Sequence, residues 1–240
     1  MAAGKVYLVP TFLHEQGLSA IPAYVAEAVK SCQVFFTENE RTTRRYLKQL
    51  WKACLPGQEM VIDNYEWHTI SDKAEVTDIF KKRISEGKTI AIISEAGCPG
   101  VADPGQLLVA IAQEMNTKVI PLSGPNSILL ALMASGMNGQ QFQFVGYLPI
   151  DNQERAKAIK ELEASSQKKN CTQIFIETPY RNNQLIEALL KNCKPATRVC
   201  IAVDLTSPQE LIQTKTAAEW KKNKPDIHKH PAVFLIYAGN

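Results

Sequence analysis

Four apolar runs of strand length in the first half of the chain most constrain its fold. They are KVYLVP at 5–10, VFFT at 34–37, TIAIIS at 89–94 and TKVIPL at 117–122. None of them alternates apolar with polar residues, which is typical of strands covered on both faces, as in parallel sheets. The sequence therefore predicts an α/β fold with a mostly parallel N-terminal sheet.

Segments with helical periodicity separate these runs. Between 19 and 32, apolar residues recur on one helical face, with Ser19 as a candidate N-cap and Pro22 near the start. The segment 71–86 has the same pattern, and Gly87 is placed to end it. Alternation of strand and helix predicts βαβ units.

The regular alternation of strand and helix segments ends after residue 122. Strand-like segments continue, but their spacing is irregular and permits hairpins, so we expect a mixed C-terminal sheet. We predict two α/β domains, 1–122 and 123–240, with a ligand site in the cleft between them. The predicted C-terminal strands lie in FQFVGYLP, TQIFIE, RVCIAVDL and AVFLIY.

Composition excludes several classes of protein. A chain of 240 residues with 45% hydrophobic and 21% charged residues is neither disordered nor a coiled coil. The N-terminus lacks a signal-peptide pattern, and no segment approaches the roughly 20 apolar residues that span a bilayer. We therefore expect a soluble, cytoplasmic protein without a membrane partner. The net charge of +3 is no nucleic-acid signature, and six cysteines without a CxxC pair predict no metal site.

The segment SEAGCPGVADPG at 94–105 is the most informative loop. It follows a buried strand, and its glycines and prolines allow main-chain N–H and C=O groups to face a ligand at the strand's carboxyl end. An ordinary Gly/Pro turn remains the alternative. The spacing matches neither the Rossmann nor the P-loop motif.

A second loop of this kind, PLSGPNS at 121–127, opens onto an apolar helix. Asn126 or Ser127 is suited to cap that helix, and the free N–H groups there would also suit a carboxylate. We expect the two loops to converge on one cleft.

These segments resemble the tetrapyrrole-methylase superfamily, in particular its small-subunit rRNA methyltransferase I branch, which modifies a ribose 2′-hydroxyl. SEAGCPGVADPG is similar to that branch's S-D-A-G-T-P-x-x-x-D-P-G, and IPLSGPNSILLALMASGM to its V-P-L-P-G-P motif. The matches TENERTT, FVGYLP, FIETPYR and IAVDLT follow the family order, so the resemblance covers about 5–237.

The resemblance implies a two-domain class III methyltransferase-like fold that binds S-adenosylmethionine between the domains, usually as a homodimer. By this resemblance, eight positions of this chain correspond to residues that contact the cofactor in the family. Cys98 replaces the family's Thr or Asp, so a side-chain oxygen is lost there. The eight positions are Pro10, Cys98, Val101, Ala102, Asn126, Ser127, Ile176 and Ala232.

Departures from the family pattern lie where the acceptor is expected. The first loop has PTFLHEQG at 10–17 in place of P-x-G-N-L-x-D. The family's E-D-T-R becomes ENER at 38–41, and its R-E-L-T becomes VDLT at 203–206.

Transfer of a methyl group to a hydroxyl requires alignment and a group that takes the proton. Of five carboxylates at predicted strand ends, Glu38 and Glu177 are the best candidates for this base, because each lies in a matched motif. For each of the five, a solvated or capping role is the alternative. Arg41 and Arg181 are suited to bind a substrate anion, either phosphate or a tetrapyrrole carboxylate. The other three carboxylates are Glu40, Glu95 and Asp204.

Three functions remain open from the sequence. The first is ribose 2′-O-methylation of ribosomal RNA, and the second is methylation of a corrin or porphyrin precursor. The third is cofactor binding without turnover, which the altered first loop and Cys98 favour. His14 lies in that loop as either a base or a surface residue, and a basic face on the helix near 41–48 is suited to RNA phosphates.

Overall fold

The computed structural model describes residues 4–58, 60–70 and 74–239. The chain divides into two compact units, Met1–Asn126 and Ser127–Asn240. The boundary expected from the sequence, between residues 122 and 123, lies slightly before this division. Each unit contains one five-stranded sheet.

Every strand pairing in the sheet of the first unit is parallel. The strands are β1 (Lys5–Val9), β2 (Val34–Thr37), β3 (Glu66–Thr69), β4 (Ile90–Ile93) and β5 (Lys118–Pro121). Their order across the sheet is β3-β2-β4-β1-β5, which makes β1 the neighbour of both β4 and β5. The four apolar runs thus form the four strands predicted from them, whereas β3 was not predicted.

Both faces of this sheet are buried, which explains why its strands do not alternate. Phe35 and Ile93 belong to one apolar cluster, while Phe36 and Ile92, their neighbours along the chain, belong to another. Helices cover each face because successive side chains of a strand point to opposite sides. The helices are α1 (Tyr24–Lys30) and α2 (Glu40–Cys54) on one face, and α3 (Ala74–Ser85) and α4 (Gln106–Glu114) on the other.

The predicted start of the first helix is wrong. Ser19 lies within a short 3-10 helix, Gly17–Ala20, and α1 begins only at Tyr24 without a side-chain cap. The backbone turns between these helices, where Ile21 N donates to Leu18 O. The predicted start of α3 at Ser71 lies outside the described residues, but Gly87 follows its end with a left-handed φ of +72°, as a helix stop does.

The sheet of the second unit is mixed. Its strands are β6 (Phe142–Tyr147), β7 (Thr172–Ile176), β8 (Arg198–Val203), β9 (Leu211–Thr216) and β10 (Ala232–Tyr237), in the order β6-β7-β10-β8-β9. Only β6 and β7 pair in parallel, and the other three pairings are antiparallel. The expected contrast between a parallel N-terminal sheet and a mixed C-terminal sheet is confirmed.

Helices also pack against both faces of the second sheet. They are α5 (Ser127–Ser135), α6 (Asn152–Lys169), α7 (Asn182–Asn192) and α8 (Ala217–Lys222). Trp220 of α8 is buried and donates from its indole N–H to Val199 O at 2.9 Å, so this large side chain joins the core with its polar atom satisfied. No helix in the described part of the chain has both the length and the apolarity needed to cross a membrane.

Candidate functional site

The loops after β1 and β4 are tied together at the carboxyl edge of the first sheet. Thr11 N donates to Gly97 O at 2.9 Å, and the Thr11 hydroxyl donates to Ser94 O at 3.2 Å. The Ser94 hydroxyl also donates to Gly97 O at 2.9 Å. Because Thr11 and Ser94 are buried, these bonds fix the start of the Gly/Pro loop against the first loop.

The loop after β5 joins the same assembly. A Cβ on Gly124 would lie 2.2 Å from Pro10 Cβ, so only glycine permits this close approach. The Cys98 thiol lies 3.7 Å from Gly124 O and 3.5 Å from Pro125 O. Burial raises the pKa of this thiol, and its contact with Asn126 partly offsets that effect. The expected convergence of the two Gly/Pro loops therefore occurs within the first unit.

The Cys98 side chain connects the Gly/Pro loop after β4 to the loop after β5. Its sulfur contacts two main-chain carbonyls, which accept its weak S–H hydrogen bond. The loss of the family's side-chain oxygen at this position therefore leaves the loop supported from within the unit.

Beside these loops lies a group of carboxyls that sequence reasoning only partly identified. Glu38 follows β2, and its Oε1 accepts a hydrogen bond from Glu95 N at 2.7 Å. Burial raises the pKa of Glu38 to about 7, an effect that Asp103 and Glu95 strengthen and the Glu95 amide reduces. A carboxyl with such a pKa exchanges its proton near neutral pH, as a general base must.

Asp103 holds the Gly/Pro loop and contacts Glu38. Its Oδ1 accepts hydrogen bonds from Gly100 N at 3.1 Å and Gly105 N at 2.6 Å. Its Oδ2 is buried without a protein donor among the described residues, and Asp103 lies close enough to the Glu38 carboxyl to raise the pKa of Glu38. Repulsion between the two carboxylates of this pair favours the protonated form of Glu38.

Sequence reasoning missed Asp103 as a site residue. The available signal was its place in the matched motif, six residues after Gly97. Its contact with Glu38 joins residues 65 positions apart in the chain, and this contact depends on β2 and β4 being neighbours in the sheet.

Two predicted cofactor residues present their backbone to solvent. Val101 and Ala102 are exposed, and their main-chain N–H groups have no hydrogen-bond partner in the described part of the chain. Ala102 has a left-handed φ of +56°, which is strained for a residue with a side chain. Open N–H groups at a strand end are suited to bind the oxygens of a polar ligand.

The start of α2 replaces the family's Asp by an equivalent cap. Asn39 Oδ1 accepts hydrogen bonds from Arg41 N at 3.0 Å and Thr42 N at 3.3 Å. Asn and Asp cap helices about equally well, so this departure preserves the local structure. Arg41 is exposed and its guanidinium forms no ion pair with a described residue, whereas Glu40 pairs with Arg44 at 2.7 Å.

Glu177, the other predicted base, is fully buried in the second unit. Its Oε1 accepts hydrogen bonds from Arg181 Nη2 at 2.6 Å, Arg181 Nε at 2.9 Å and Thr178 N at 2.7 Å. Its Oε2 has no partner among the residues described. This geometry favours a positioning role, in which Glu177 fixes the orientation of the Arg181 guanidinium.

The remaining predicted cofactor residues lie in the second unit. Ile176 is the last residue of β7 and pairs with Val233 of β10. It therefore lies near Ala232, the first residue of β10, at one end of these two neighbouring strands. Ser127 begins α5, which packs against β10. The second unit thus groups Ile176 and Ala232, and the first unit groups Pro10 and Cys98 around Gly124.

A histidine of the second unit contacts one of the predicted carboxylates. His230 Nδ1 lies 2.6 Å from Asp204 Oδ2, so this predicted carboxylate has a partner of its own. Asp204 has a φ of +50°, a conformation that Asp tolerates better than most residues. The described residues contain no group of three or more potential ligands placed to hold a metal ion.

The family profile described as Tetrapyrrole (Corrin/Porphyrin) Methylases matches residues 17–221. This chain belongs to that family. The predicted resemblance is confirmed, including the branch that was named for it, because similar proteins carry the name of that branch. One, Ribosomal RNA small subunit methyltransferase I of Escherichia coli O157:H7, is 28% identical over 97% of this chain and 77% of its own length.

Solved structures of the tetrapyrrole methylase family share the fold. The methyltransferase CobJ superposes with a TM-score of 0.60 at 15% identity, covering 99% of this chain and 94% of that one. Uroporphyrin-III C-methyl transferase from Thermus thermophilus, complexed with S-adenyl homocysteine, gives 0.58 at 16% identity, with 98% and 97% covered. The predicted fold class is confirmed, and the family profile and the relatives named as methyltransferases confirm the prediction that the chain is a methyltransferase.

Proposed function

We propose that this chain transfers a methyl group from S-adenosylmethionine to a ribose 2′-hydroxyl of ribosomal RNA. The observation that carries this proposal is the match over 97% of the chain with a relative named as a methyltransferase of small-subunit ribosomal RNA. A fold neighbour in complex with S-adenyl homocysteine supports the methyl donor. The proposed base, Glu38, adds support from the site itself.

The residues of the first unit fit the cofactor. The open N–H groups of Val101 and Ala102 would hold polar groups of S-adenosylmethionine. When bound, this cofactor would supply a methyl group on a sulfonium, whose carbon an oxygen nucleophile can attack in line while the C–S bond breaks and the thioether leaves. We propose that Ser127, Ile176 and Ala232 of the second unit also contact the cofactor.

The weak nucleophilicity of a ribose hydroxyl gives Glu38 its proposed role. The neutral hydroxyl must lose its proton as its oxygen forms the new bond to carbon. Glu38 accepts this proton on a carboxylate oxygen, and its pKa of about 7 makes the proton easy to release afterwards. Asp103 positions Glu38 and keeps its proton affinity high through the carboxyl contact.

Two arginines are proposed to bind the acceptor's phosphates. Arg41 offers a free guanidinium at the start of α2, and Arg44, Arg45 and Lys48 extend this basic face along an open groove. Arg181 is held by Glu177 in a defined orientation. We also infer a homodimer that acts in the cytoplasm, where ribosomal RNA is found, and light scattering tests the dimer.

Ribosomal RNA from a strain lacking this gene provides the direct test. Mass spectrometry is expected to reveal the loss of one ribose methyl group, which returns when the wild-type gene is restored and not when a Glu38→Gln variant is. Unchanged ribosomal RNA would contradict the proposed substrate. Calorimetry with S-adenosylmethionine tests the donor separately, since the absence of saturable binding would exclude methyl transfer of this kind.

The fold neighbours make a tetrapyrrole precursor the alternative acceptor. Their identities of 15% and 16% support the fold alone, so this function lacks the full-length sequence match that favours RNA. Incubating the purified protein with uroporphyrinogen and labelled cofactor distinguishes the two. Methylation of the tetrapyrrole together with unchanged ribosomal RNA would establish the alternative, and binding of the cofactor without either product would indicate a protein without turnover.

A further inference from the structure

A cavity of about 160 Å³ lies in the first unit, beside the carboxyl pair. Three segments line it, namely the loop after β1, the first turns of α2 and the start of the Gly/Pro loop. None of the eight predicted cofactor positions lines this cavity. It is therefore a site that the cofactor contacts leave unassigned.

One wall of the cavity is apolar and aromatic. Phe12 meets Tyr46 edge to face, with ring centroids 5.2 Å apart and an angle of 87° between the planes. The Tyr46 hydroxyl donates to Pro10 O at 2.7 Å, so the ring is fixed in place. A rigid aromatic wall is suited to the face of a flat ring.

The other walls carry polar groups of both kinds. His14 Nδ1 accepts a hydrogen bond from Gln16 N at 3.2 Å, which leaves the proton of the neutral ring on Nε2 as a donor. Glu95 Oε2 accepts from the Thr42 hydroxyl at 2.9 Å, and its other oxygen has no protein donor among the described residues. The cavity thus offers a ligand a donor from His14 and a strong acceptor from Glu95, and it is also lined by Glu15 and Arg45, which form an ion pair with each other at 2.8 Å.

The cavity is adjacent to the proposed base. Glu95, in its wall, donates from its main-chain N–H to Glu38 Oε1 at 2.7 Å. Glu95 therefore lies between a ligand bound in the cavity and the Glu38 carboxyl. The volume accommodates one small planar ring system, whereas a four-ring macrocycle is too large to enter.

We propose that this cavity receives the nucleobase of the nucleotide that is methylated, an inference that rests on the proposed RNA substrate. A nucleobase has apolar faces for the Phe12 wall and a polar edge for His14 and Glu95. Glu95 accepts a hydrogen bond from an exocyclic amino group, as carboxylates do in base recognition. The altered first loop, which supplies Phe12 and His14, thereby has a role in choosing the acceptor.

Nucleotide titrations followed by NMR test the cavity directly. The probes are the four ribonucleoside 5′-monophosphates, and the readout is the ring resonance of His14, with exposed His228 as the internal reference. We expect at least one nucleotide with an amino group to shift His14 and leave His228 in place. No shift of His14 with any of the four would overturn the proposal, as would an equal shift caused by S-adenosylmethionine alone.

A filled cavity tests the same site in turnover. Ala96→Phe places a ring in the wall, and Ala134→Phe adds the same ring at an exposed position of α5 as the control. With small ribosomal subunits from the deletion strain, Ala96→Phe is expected to raise KM for RNA at least about fivefold, the lower range for a base contact. The Kd for S-adenosylmethionine is expected to match that of the control.

The two proposals fail in different ways. If the wild type methylates ribosomal RNA and Ala96→Phe has an unchanged KM, the cavity assignment is wrong and the proposed function stands. If the wild type leaves ribosomal RNA unmethylated while nucleotides still shift His14, the substrate is wrong and the cavity still binds nucleobases.

Discussion

Replacing Gly124 by alanine tests whether the loops of the first unit form one rigid surface. An ideal Cβ at this position would lie 2.2 Å from Pro10 Cβ and 2.4 Å from Pro10 Cγ. Ordinary contacts between carbon atoms are about 3.5–4.0 Å, so the two loops must separate by about 1 Å or more. Pro10 cannot turn away, because its ring is rigid and its carbonyl accepts the Tyr46 hydroxyl.

The expected cost follows from this overlap. Forcing an extra carbon into a packed site typically destabilises by about 1–3 kcal/mol, and this overlap predicts the upper part of that range. For a protein of this size, each kcal/mol lowers the melting temperature by about 2–4 °C. We therefore expect a decrease of roughly 5–10 °C for Gly124→Ala, measured by calorimetry or circular dichroism.

Gly139→Ala is the matched control, because its Cβ would have no heavy atom within 4 Å. The control is expected to melt close to the wild type, while Gly124→Ala also binds S-adenosylmethionine more weakly, since Pro10 and Cys98 move apart. Isothermal calorimetry measures that affinity. If both variants had the same melting temperature and Kd, the close approach of the two loops would not exist in solution and the reasoning would be refuted.

Three further variants test individual contacts. Burial raises the pKa of Glu38 in the folded state, so its stabilising effect is complete below about pH 4.5 and is lost as the pH rises through about 7. Glu38→Gln should remove that component from unfolding curves measured between pH 4.5 and 8, and an unchanged pH dependence would contradict the raised pKa of Glu38. Glu177→Ala leaves Arg181 without its buried partner and should destabilise by about 3–5 kcal/mol in urea unfolding, whereas a loss below about 1 kcal/mol would show that the pair is solvated. Asn39→Ala should cost about 1 kcal/mol through the lost cap of α2, and Asn39→Asp should restore the stability; equal melting temperatures for these two variants would disprove the cap.

Some elements could not be predicted from local pattern. The strand β3 has the sequence EWHT, which is half-buried and partly charged. Its stability depends on partners distant in the chain, since Trp67 stacks on Phe35 at 4.7 Å and Glu66 forms an ion pair with Arg83 at 2.9 Å. The edge strand β9 was not predicted for a similar reason. Its sequence is largely polar, and the strand is stabilised by its pairing with β8.

The candidate site likewise has some features that the sequence predicts and others that only the structure shows. The motifs marked Glu38 and the two Gly/Pro loops as regions of interest, because glycine and proline spacing is visible in one dimension. The approach of Asp103 to Glu38 was not visible, since it requires two loops from neighbouring strands. Glu177 was predicted as a base, but its burial beneath Arg181 could be found only in three dimensions.

The sequence by itself determined the class of fold and the family. Unalternating apolar runs require a sheet covered on both faces, and ordered motifs along the chain are specific to tetrapyrrole methylases. The tertiary structure decided which strand ends meet. The order β3-β2-β4-β1-β5 places the loops after β2, β4, β1 and β5 side by side, and that order depends on contacts between residues far apart in the chain, which no local pattern records.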